Sequence, residues 1–172
     1  MTDLAVGDIE VIRRVREPAM AGLRTLQQAG DAAMDGRPPA ALKAAQAAAD
    51  YLYGTLLPLS RAEELALFIT VDGVIGAPRA TAVMIAQHHS LDAMAGDLRS
   101  LIAAASGAPS IEPYRKGLAT LLYALYGLAR GHLEAEDDAY IGLLDGTLSE
   151  SQVGSLASNL ERLTSAQTPA KS

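Results

Sequence analysis

The chain of 172 residues contains no cysteine and no tryptophan, and only 4% of its residues are aromatic. Without cysteine, the sequence excludes disulfides, thiolate metal ligands and a cysteine nucleophile. Hydrophobic residues nevertheless make up 49% of the chain, mostly as alanine and leucine. A core built from such small and aliphatic side chains favours closely packed helices over a β-sheet.

Positive charge and long apolar runs are also scarce. The 14 Lys and Arg residues face 20 Asp and Glu residues, and they form no basic cluster that could follow a phosphate backbone. The longest apolar run, around residues 118–129, is too short and too interrupted to span a bilayer. No signal-peptide pattern opens the chain. We therefore expect a cytoplasmic protein whose partners include neither nucleic acid nor a membrane.

Proline and glycine divide the sequence into four amphipathic segments. Pro58 predicts a kink within the second segment, and Gly30 is expected to end the first. Short connections between four helices predict an all-α, up-down-up-down four-helix bundle over residues 1–148. The expected helices cover residues 8–29, 39–71, 78–105 and 112–144.

The last part of the chain predicts an accessory element. Ser149 and Gln152 have the spacing of a capping box, which predicts a short C-terminal helix over residues 149–164. The composition of residues 165–172 is typical of a disordered tail.

Two polar residues interrupt the apolar stripe of the fourth segment. His132 and Glu136 lie four positions apart, so they share one helix face. A buried carboxylate is costly unless it is paired or binds a metal. An imidazole–carboxylate hydrogen bond in an ordinary core would satisfy this pattern, and so would a metal site inside a helical bundle. The stripe itself is formed by Leu118, Leu121, Leu125, Leu128, Ala139 and Leu143.

The second and third segments carry polar residues in the same way. Glu63 lies on the apolar stripe of the second segment, and His88 lies on the stripe of the third. The neighbouring His89 is turned about 100° away and is expected to face solvent. Together with His132 and Glu136, these residues form a candidate ligand set of two imidazoles and two carboxylates. Such nitrogen and oxygen donors suit iron, manganese or zinc.

Two short segments recur at a nearly constant spacing. Leu52-Tyr53-Gly54 returns 73 residues later as Leu125-Tyr126-Gly127, and Ala19-Met20-Ala21-Gly22 returns 74 residues later as Ala93-Met94-Ala95-Gly96. Either match alone is weak in an alanine-rich chain. Two matches at nearly one offset indicate a duplicated helix pair.

Three of these segments resemble motifs of one family, the hemerythrin-like (HHE cation-binding) proteins. Gln87-His88-His89 resembles the start of a ligand helix, and the segment from His132 to Tyr140 resembles the family's histidine and glutamate motif. Arg61 to Phe68 resembles the matching part of the preceding helix pair. The resemblance covers about residues 8–145. It implies a hemerythrin-like four-helix bundle around a carboxylate-bridged, histidine-ligated non-haem di-iron centre.

The first half of the chain departs from this pattern. Leu59 stands at the position equivalent to His132, and Arg14 or a neighbour stands at the position equivalent to His88. Three outcomes follow for the metal. One ion could be held by the second-half residues, or two ions could be held with help from Glu17 or Asp92. Alternatively no ion binds, and an inward Arg13 or Arg14 pairs with the two glutamates.

The resemblance implies a non-haem iron-binding protein that binds or senses O₂ or NO, or that handles oxidative or nitrosative stress. Its metal ligands would be His88, His132, Glu136 and Glu63, with one or two iron ions. Two alternatives stay open, namely a metal-free bundle that serves as an interaction module and a carboxylate-rich metal-dependent oxidase. A role in binding is favoured over that of a classical enzyme, and a homodimer is kept open as the assembly.

Overall fold

The structure, a computed structural model, describes residues 8–35 and 38–167. Four helical arms form an up-down-up-down bundle, and a fifth helix packs against it. No β-strand occurs within the described ranges, so the predicted all-α fold is confirmed. The α-helices are α1 (Glu10–Met34), α2 (Pro38–Tyr51), α3 (Leu57–Leu65), α4 (Leu67–Ile75), α5 (Ala82–Gly107), α6 (Glu112–Glu136), α7 (Gly142–Leu144) and α8 (Glu150–Gln167).

Helix α1 forms the first arm and runs five residues past the predicted end. Gly30 does not terminate it but lies buried inside it, against the ring of Tyr123. A Cβ atom at Gly30 would lie 2.8 Å from Cε1 of that ring. The glycine therefore permits a close contact between α1 and α6. The predicted loop around Gly36 and Arg37 falls outside the described residues.

The second arm consists of α2, a π-helical segment at Leu52–Leu56, α3 and α4. In the π-helical segment the N–H of Leu57 donates to the carbonyl of Leu52, five residues earlier. Pro58 follows directly; it has no N–H to donate, and its ring crowds the carbonyl four residues earlier. The wider π turn therefore coincides with the predicted kink. The arm ends at Gly76, which has a left-handed φ of 71°.

The fourth arm contains a second π-helical segment, at Asp137–Ile141, directly after Glu136. This wider turn shifts the buried face by one residue. Ile141 and Leu144 are fully buried, whereas Ala139, which the uninterrupted stripe placed inward, is exposed. Before Glu136 the predicted stripe is right at Leu118 and Leu125, whereas Leu121 and Leu128 are half-buried and their neighbours Leu122 and Ala129 are buried instead.

Helix α8 begins with the predicted capping box. The N–H of Ser149 donates to Oε1 of Gln152 at 2.9 Å, and the N–H of Gln152 donates to Oγ of Ser149 at 3.4 Å. The helix continues to Gln167, so residues 165–167 of the predicted tail are helical. Residues 168–172 lie outside the described ranges. None of the described helices is long and apolar enough to cross a membrane.

A polar layer separates two apolar clusters along the bundle. On α1, Arg16 lies between Ile12 of one cluster and Ala19 of the other. The other arms repeat this order, so the polar residues meet at one level of the bundle. The flanking pairs are Leu59 and Leu67 around Glu63, Leu91 and Met84 around His88, and Leu133 and Ile141 around Glu136.

Candidate metal centre

The structure brings the four predicted ligand residues together. One donor atom from each of Glu63, His88, His132 and Glu136 can be chosen so that all four atoms lie within 4.8 Å of one another. All four side chains are buried, with at most 3% of each residue exposed. Glu63 comes from α3, His88 from α5, and His132 and Glu136 from successive turns of α6. The group therefore joins three arms of the bundle.

The two histidines face each other through their inner nitrogens. Nε2 of His88 lies 2.8 Å from Nε2 of His132, and the ring centroids are 4.5 Å apart. The outer nitrogens face oxygen acceptors: Nδ1 of His88 lies 2.9 Å from Oε1 of Glu64, and Nδ1 of His132 lies 2.9 Å from Oε1 of Gln87. An acceptor at Nδ1 favours the tautomer with a proton on that nitrogen. Both inner nitrogens then present lone pairs to the same space.

The two carboxylates lie beside this space. Oε2 of Glu63 is 3.6 Å from Nε2 of His88, and Oε2 of Glu136 is 3.4 Å from Nε2 of His132. No N–H or hydroxyl group of the described residues donates to Glu63 Oε2 or Glu136 Oε1, although both atoms are buried, and the two carboxyl groups lie within hydrogen-bonding reach of each other. A buried carboxylate oxygen without a hydrogen bond is costly unless a cation is near it.

A buried arginine bridges the two carboxylates. Nε of Arg16 donates to Glu63 Oε1 at 2.9 Å, and Nη2 donates to Glu136 Oε2 at 2.7 Å. Nη2 also contacts the carbonyl oxygen of Leu133 at 3.3 Å. Nη1 lies 3.5 Å from Oδ1 of the half-exposed Asp137. The guanidinium is thus enclosed by acceptors.

One of the three sequence alternatives expected an inward arginine at Arg13 or Arg14, but the inward arginine is Arg16. Arg14 is exposed, and Arg13 is half-exposed with its Nε 3.1 Å from Oδ1 of Asp137. Arg16 points inward because it continues the α1 stripe of Ile12 and Ala19 at helical spacing. The repeat offset, which aligned Arg14 with His88, is misleading here. The local period contained the correct signal.

Four other residues that the sequence singled out lie outside the ligand set. Asp92 is exposed and pairs with Arg61 at 3.2 Å, and Glu17 is exposed on α1, so neither reaches the buried group. Both proposals for replacement carboxylate ligands are therefore wrong. Leu59 is buried in the apolar cluster and supplies no ligand atom. His89 is exposed, as its position on α5 predicted.

Burial sets the protonation of the site. It lowers the pKa of His88 to about 4 and that of His132 to about 3, and the nearby positive charge of Arg16 acts in the same direction. The imidazoles are therefore neutral near pH 7. Burial raises the pKa of Glu63 and of Glu136, and the adjacent Glu63 carboxylate raises that of Glu136 further. Arg16 opposes both upward shifts.

The surroundings include residues to which sequence reasoning gave no role. The Phe68 ring stacks on the His88 imidazole, with centroids 5.2 Å apart and an interplanar angle of 18°. Glu64 and Gln87 orient the two imidazoles from outside. Each lies next to a predicted ligand in the sequence, but a neighbouring position does not show which helix a side chain will contact.

The donor atoms fit a divalent transition metal. Two neutral imidazole nitrogens and two carboxylates form the nitrogen and oxygen set that such ions prefer. Hydrogen bonds from the outer nitrogens to oxygen acceptors are the usual support of metal-binding histidines. The unpartnered Oε2 of Glu63 adds an acceptor 3.6 Å from Nε2 of His88. Arg16 already holds Oε1 of Glu63 and Oε2 of Glu136, and the latter oxygen also lies 3.4 Å from Nε2 of His132.

Comparison with known proteins gives the class of this protein. The family model of the hemerythrin HHE cation binding domain matches residues 9–144. The chain therefore belongs to the hemerythrin HHE family, whose domain binds cations, as the sequence resemblance indicated. A search of curated proteins and a search of solved structures found no match.

Proposed function

We propose that this protein binds one non-haem iron ion through His88, His132, Glu136 and Glu63 and uses it to bind or sense a diatomic molecule, O₂ or NO. The observation that carries the proposal is the 2.8 Å separation between the inner nitrogens of the two histidines. With a proton on each outer nitrogen, both inner nitrogens present lone pairs to one space, where a cation beside them would be bound. The adjacent carboxylate oxygens favour a metal ion as that cation.

Iron and a small ligand fit the surroundings. Bound iron would supply the redox and ligand-binding chemistry that O₂ or NO requires. The residues of the chain exclude bulk water, because Phe68 covers one face of the His88 ring and the donor side chains are almost fully buried. A surface pocket of about 190 Å³ is lined in part by Ser60, Glu64 and His88. This volume is below the roughly 300–1,000 Å³ of pockets for drug-sized ligands, which favours a diatomic molecule.

A metal-free bundle that acts as an interaction module is the second candidate. The contacts of Arg16 with both carboxylates favour it, because a guanidinium can neutralise buried glutamates without an ion. Those contacts leave the facing histidine nitrogens without a cation between them. We therefore prefer the metal-binding function.

Iron content tests the proposal directly. The wild-type chain and its His132→Ala variant, expressed in iron-supplemented medium, would be compared by elemental analysis. We expect about one iron per chain in the wild type and almost none in the variant. The variant lacks one of the four proposed ligands, and metal affinity depends on the full ligand set of the folded chain. His89→Ala is the matched control, because this neighbouring imidazole is exposed, and it should retain the iron.

Two results would contradict the assignment. An iron-free wild type would favour the interaction module, and full iron in His132→Ala would remove this histidine from the ligand set. Visible bands that depend on O₂ or NO, without turnover of a substrate, would support binding or sensing. Sustained consumption of O₂ would favour the oxidase instead.

The cytoplasmic location and the homodimer remain predictions. Size-exclusion chromatography with light scattering would measure the oligomeric state. Fractionation of the source cells would test the location. Neither result bears on the metal site, because the donor residues all come from one chain.

A further inference from the structure

Arg16 is a buried cation inside the carboxylate group, with 2% of its surface exposed. It is held by three acceptors on other parts of the bundle, namely Glu63, Glu136 and the carbonyl oxygen of Leu133. Burying a guanidinium is costly unless it is fully paired. Its contacts therefore describe a specific cation position in the core.

The four oxygens of the two carboxylates divide into two sets. Glu63 Oε1 and Glu136 Oε2 accept hydrogen bonds from Arg16, at 2.9 and 2.7 Å. No N–H or hydroxyl group of the described residues donates to Glu63 Oε2 or Glu136 Oε1. Glu63 thus offers Oε1 to the guanidinium and Oε2 to the side of His88, 3.6 Å from Nε2, whereas Oε2 of Glu136 lies between the guanidinium and Nε2 of His132, at 2.7 and 3.4 Å. Two carboxylates arranged in this way can serve two cations at once.

We propose that Arg16 fills one of two cation positions in this core and thereby limits the cluster to one metal ion. The second position is the space beside His88 and His132, so this part rests on the proposed function. The guanidinium is attached to the chain and occupies its position without being recruited from solution. Its charge also repels a divalent ion at short distance.

A pocket beside Arg16 makes the proposal testable. This pocket of about 380 Å³ is lined by two arginines, Arg13 and Arg16, by Met20, and by four carboxylates, those of Glu17, Glu134, Asp137 and Asp138. Replacing the guanidinium by a neutral group would leave Glu63 Oε1 and Glu136 Oε2, the oxygens that now accept from Arg16, next to this opening. A metal ion from solution could then reach them past carboxylates that attract cations.

The experiment counts Co²⁺ ions bound to metal-free protein, by native mass spectrometry, and measures their affinity by titration calorimetry. Arg16→Met and Arg16→Gln remove the charge, and Arg16→Lys retains it. Arg13→Met is the matched control, because it removes a half-exposed guanidinium that contacts Asp137. We expect one Co²⁺ per chain in the wild type, Arg16→Lys and Arg13→Met. The neutral variants should bind two ions, or bind the first about tenfold or more tightly.

An unchanged count and affinity in both neutral variants would overturn the proposal, as would two ions in Arg16→Lys. If the neutral variants do not fold without metal, they would be refolded with Co²⁺. Recovery of a folded chain with two ions supports the proposal, and failure to recover contradicts it. A wild type that binds no Co²⁺ beside neutral variants that do would refute the proposed function and leave the role of Arg16 intact. One ion in all chains at equal affinity would agree with the proposed function and overturn the proposed role of Arg16.

Discussion

At the scale of single residues, the pair of His88 and His132 decides the chemistry of the core. Each imidazole has an oxygen acceptor at its outer nitrogen and the other imidazole at its inner nitrogen. Burial lowers the pKa of both rings, so the folded chain holds them neutral at physiological pH. Neutral imidazoles are the form that binds metal, so no proton has to leave either ring before an ion enters.

A pH titration of the metal-free protein would check this state. Because both folded-state pKa values lie below the unperturbed value of about 6.5, protonation should be delayed as the pH falls. The ring ¹⁵N signals of His88 and His132 should therefore remain those of neutral imidazoles until the pH approaches about 4 for His88 and about 3 for His132. Imidazolium signals from either ring at pH 6 would contradict the expectation.

At the scale of the helices, close contacts decide which glycines matter. Gly22 on α1 and Gly96 on α5 occupy equivalent positions in the sequence repeat, but only Gly22 is closely packed. A Cβ atom at Gly22 would lie 2.1 Å from Cε2 of Tyr51, a buried ring whose hydroxyl donates to the carbonyl of Ala19 at 2.6 Å. A Cβ atom at Gly96 would meet no atom within 4 Å.

We therefore expect opposite effects from alanine at these two glycines. Gly22→Ala should destabilise the fold by about 1–3 kcal/mol, because the added methyl group displaces a packed ring. Gly96→Ala should stabilise it by up to about 1 kcal/mol, because alanine favours a helix over glycine. Urea unfolding followed by circular dichroism measures both. Equal effects would mean that the contact between α1 and Tyr51 is looser than the structure shows.

The two π-helical segments also act at this scale. The first ends at Leu56, directly before helix α3, which carries Glu63. The second begins directly after Glu136. Such segments insert one residue into a helix and are frequent at functional sites. The second segment lets Glu136 face the polar layer while Ile141 and Leu144 still face the apolar cluster beyond it. One helical arm can therefore supply Glu136 to the polar layer and Ile141 and Leu144 to the apolar cluster beyond it.

At the scale of the whole molecule, the polar layer connects the arms of the bundle. The candidate ligands join α3, α5 and α6, and Arg16 joins α1 to α3 and α6. A metal ion would cross-link three arms that are far apart in the sequence. The arginine contacts involve protein atoms only, so we expect the metal-free chain to remain folded.

Metal removal should thus lower the stability of the protein without unfolding it. With free iron at about 100 times its Kd, binding adds about 2.7 kcal/mol to the free energy of unfolding. For a chain of this size, that corresponds to a rise in Tm of roughly 5–10 °C. Thermal melts with and without a chelator would measure the difference. Identical melts of iron-loaded and chelator-treated protein would contradict the proposed site, and loss of helical signal at 25 °C would contradict the role of Arg16.

The sequence by itself determined the helical arms and the four polar residues of the core. Both depend on the spacing of residues along one helix, which fixes the face that each side chain occupies. His88 was separated from His89, and Glu63, His132 and Glu136 were placed inward, by this period alone. The same period places Arg16 on the stripe of Ile12 and Ala19, whereas the repeat offset aligns Arg14, an exposed residue, with His88.

Only the tertiary structure decided what these side chains contact. Arg16 lies 47 and 120 residues from the two carboxylates that it bridges, so their meeting depends on how three helices approach one another. The acceptors at the outer histidine nitrogens and the ring of Phe68 are likewise set by packing between arms. The π-helical segment after Glu136 also depends on packing between arms, because it turns Ile141 and Leu144 toward the apolar cluster beyond the polar layer. A one-dimensional period specifies a face, whereas a contact requires two faces to meet.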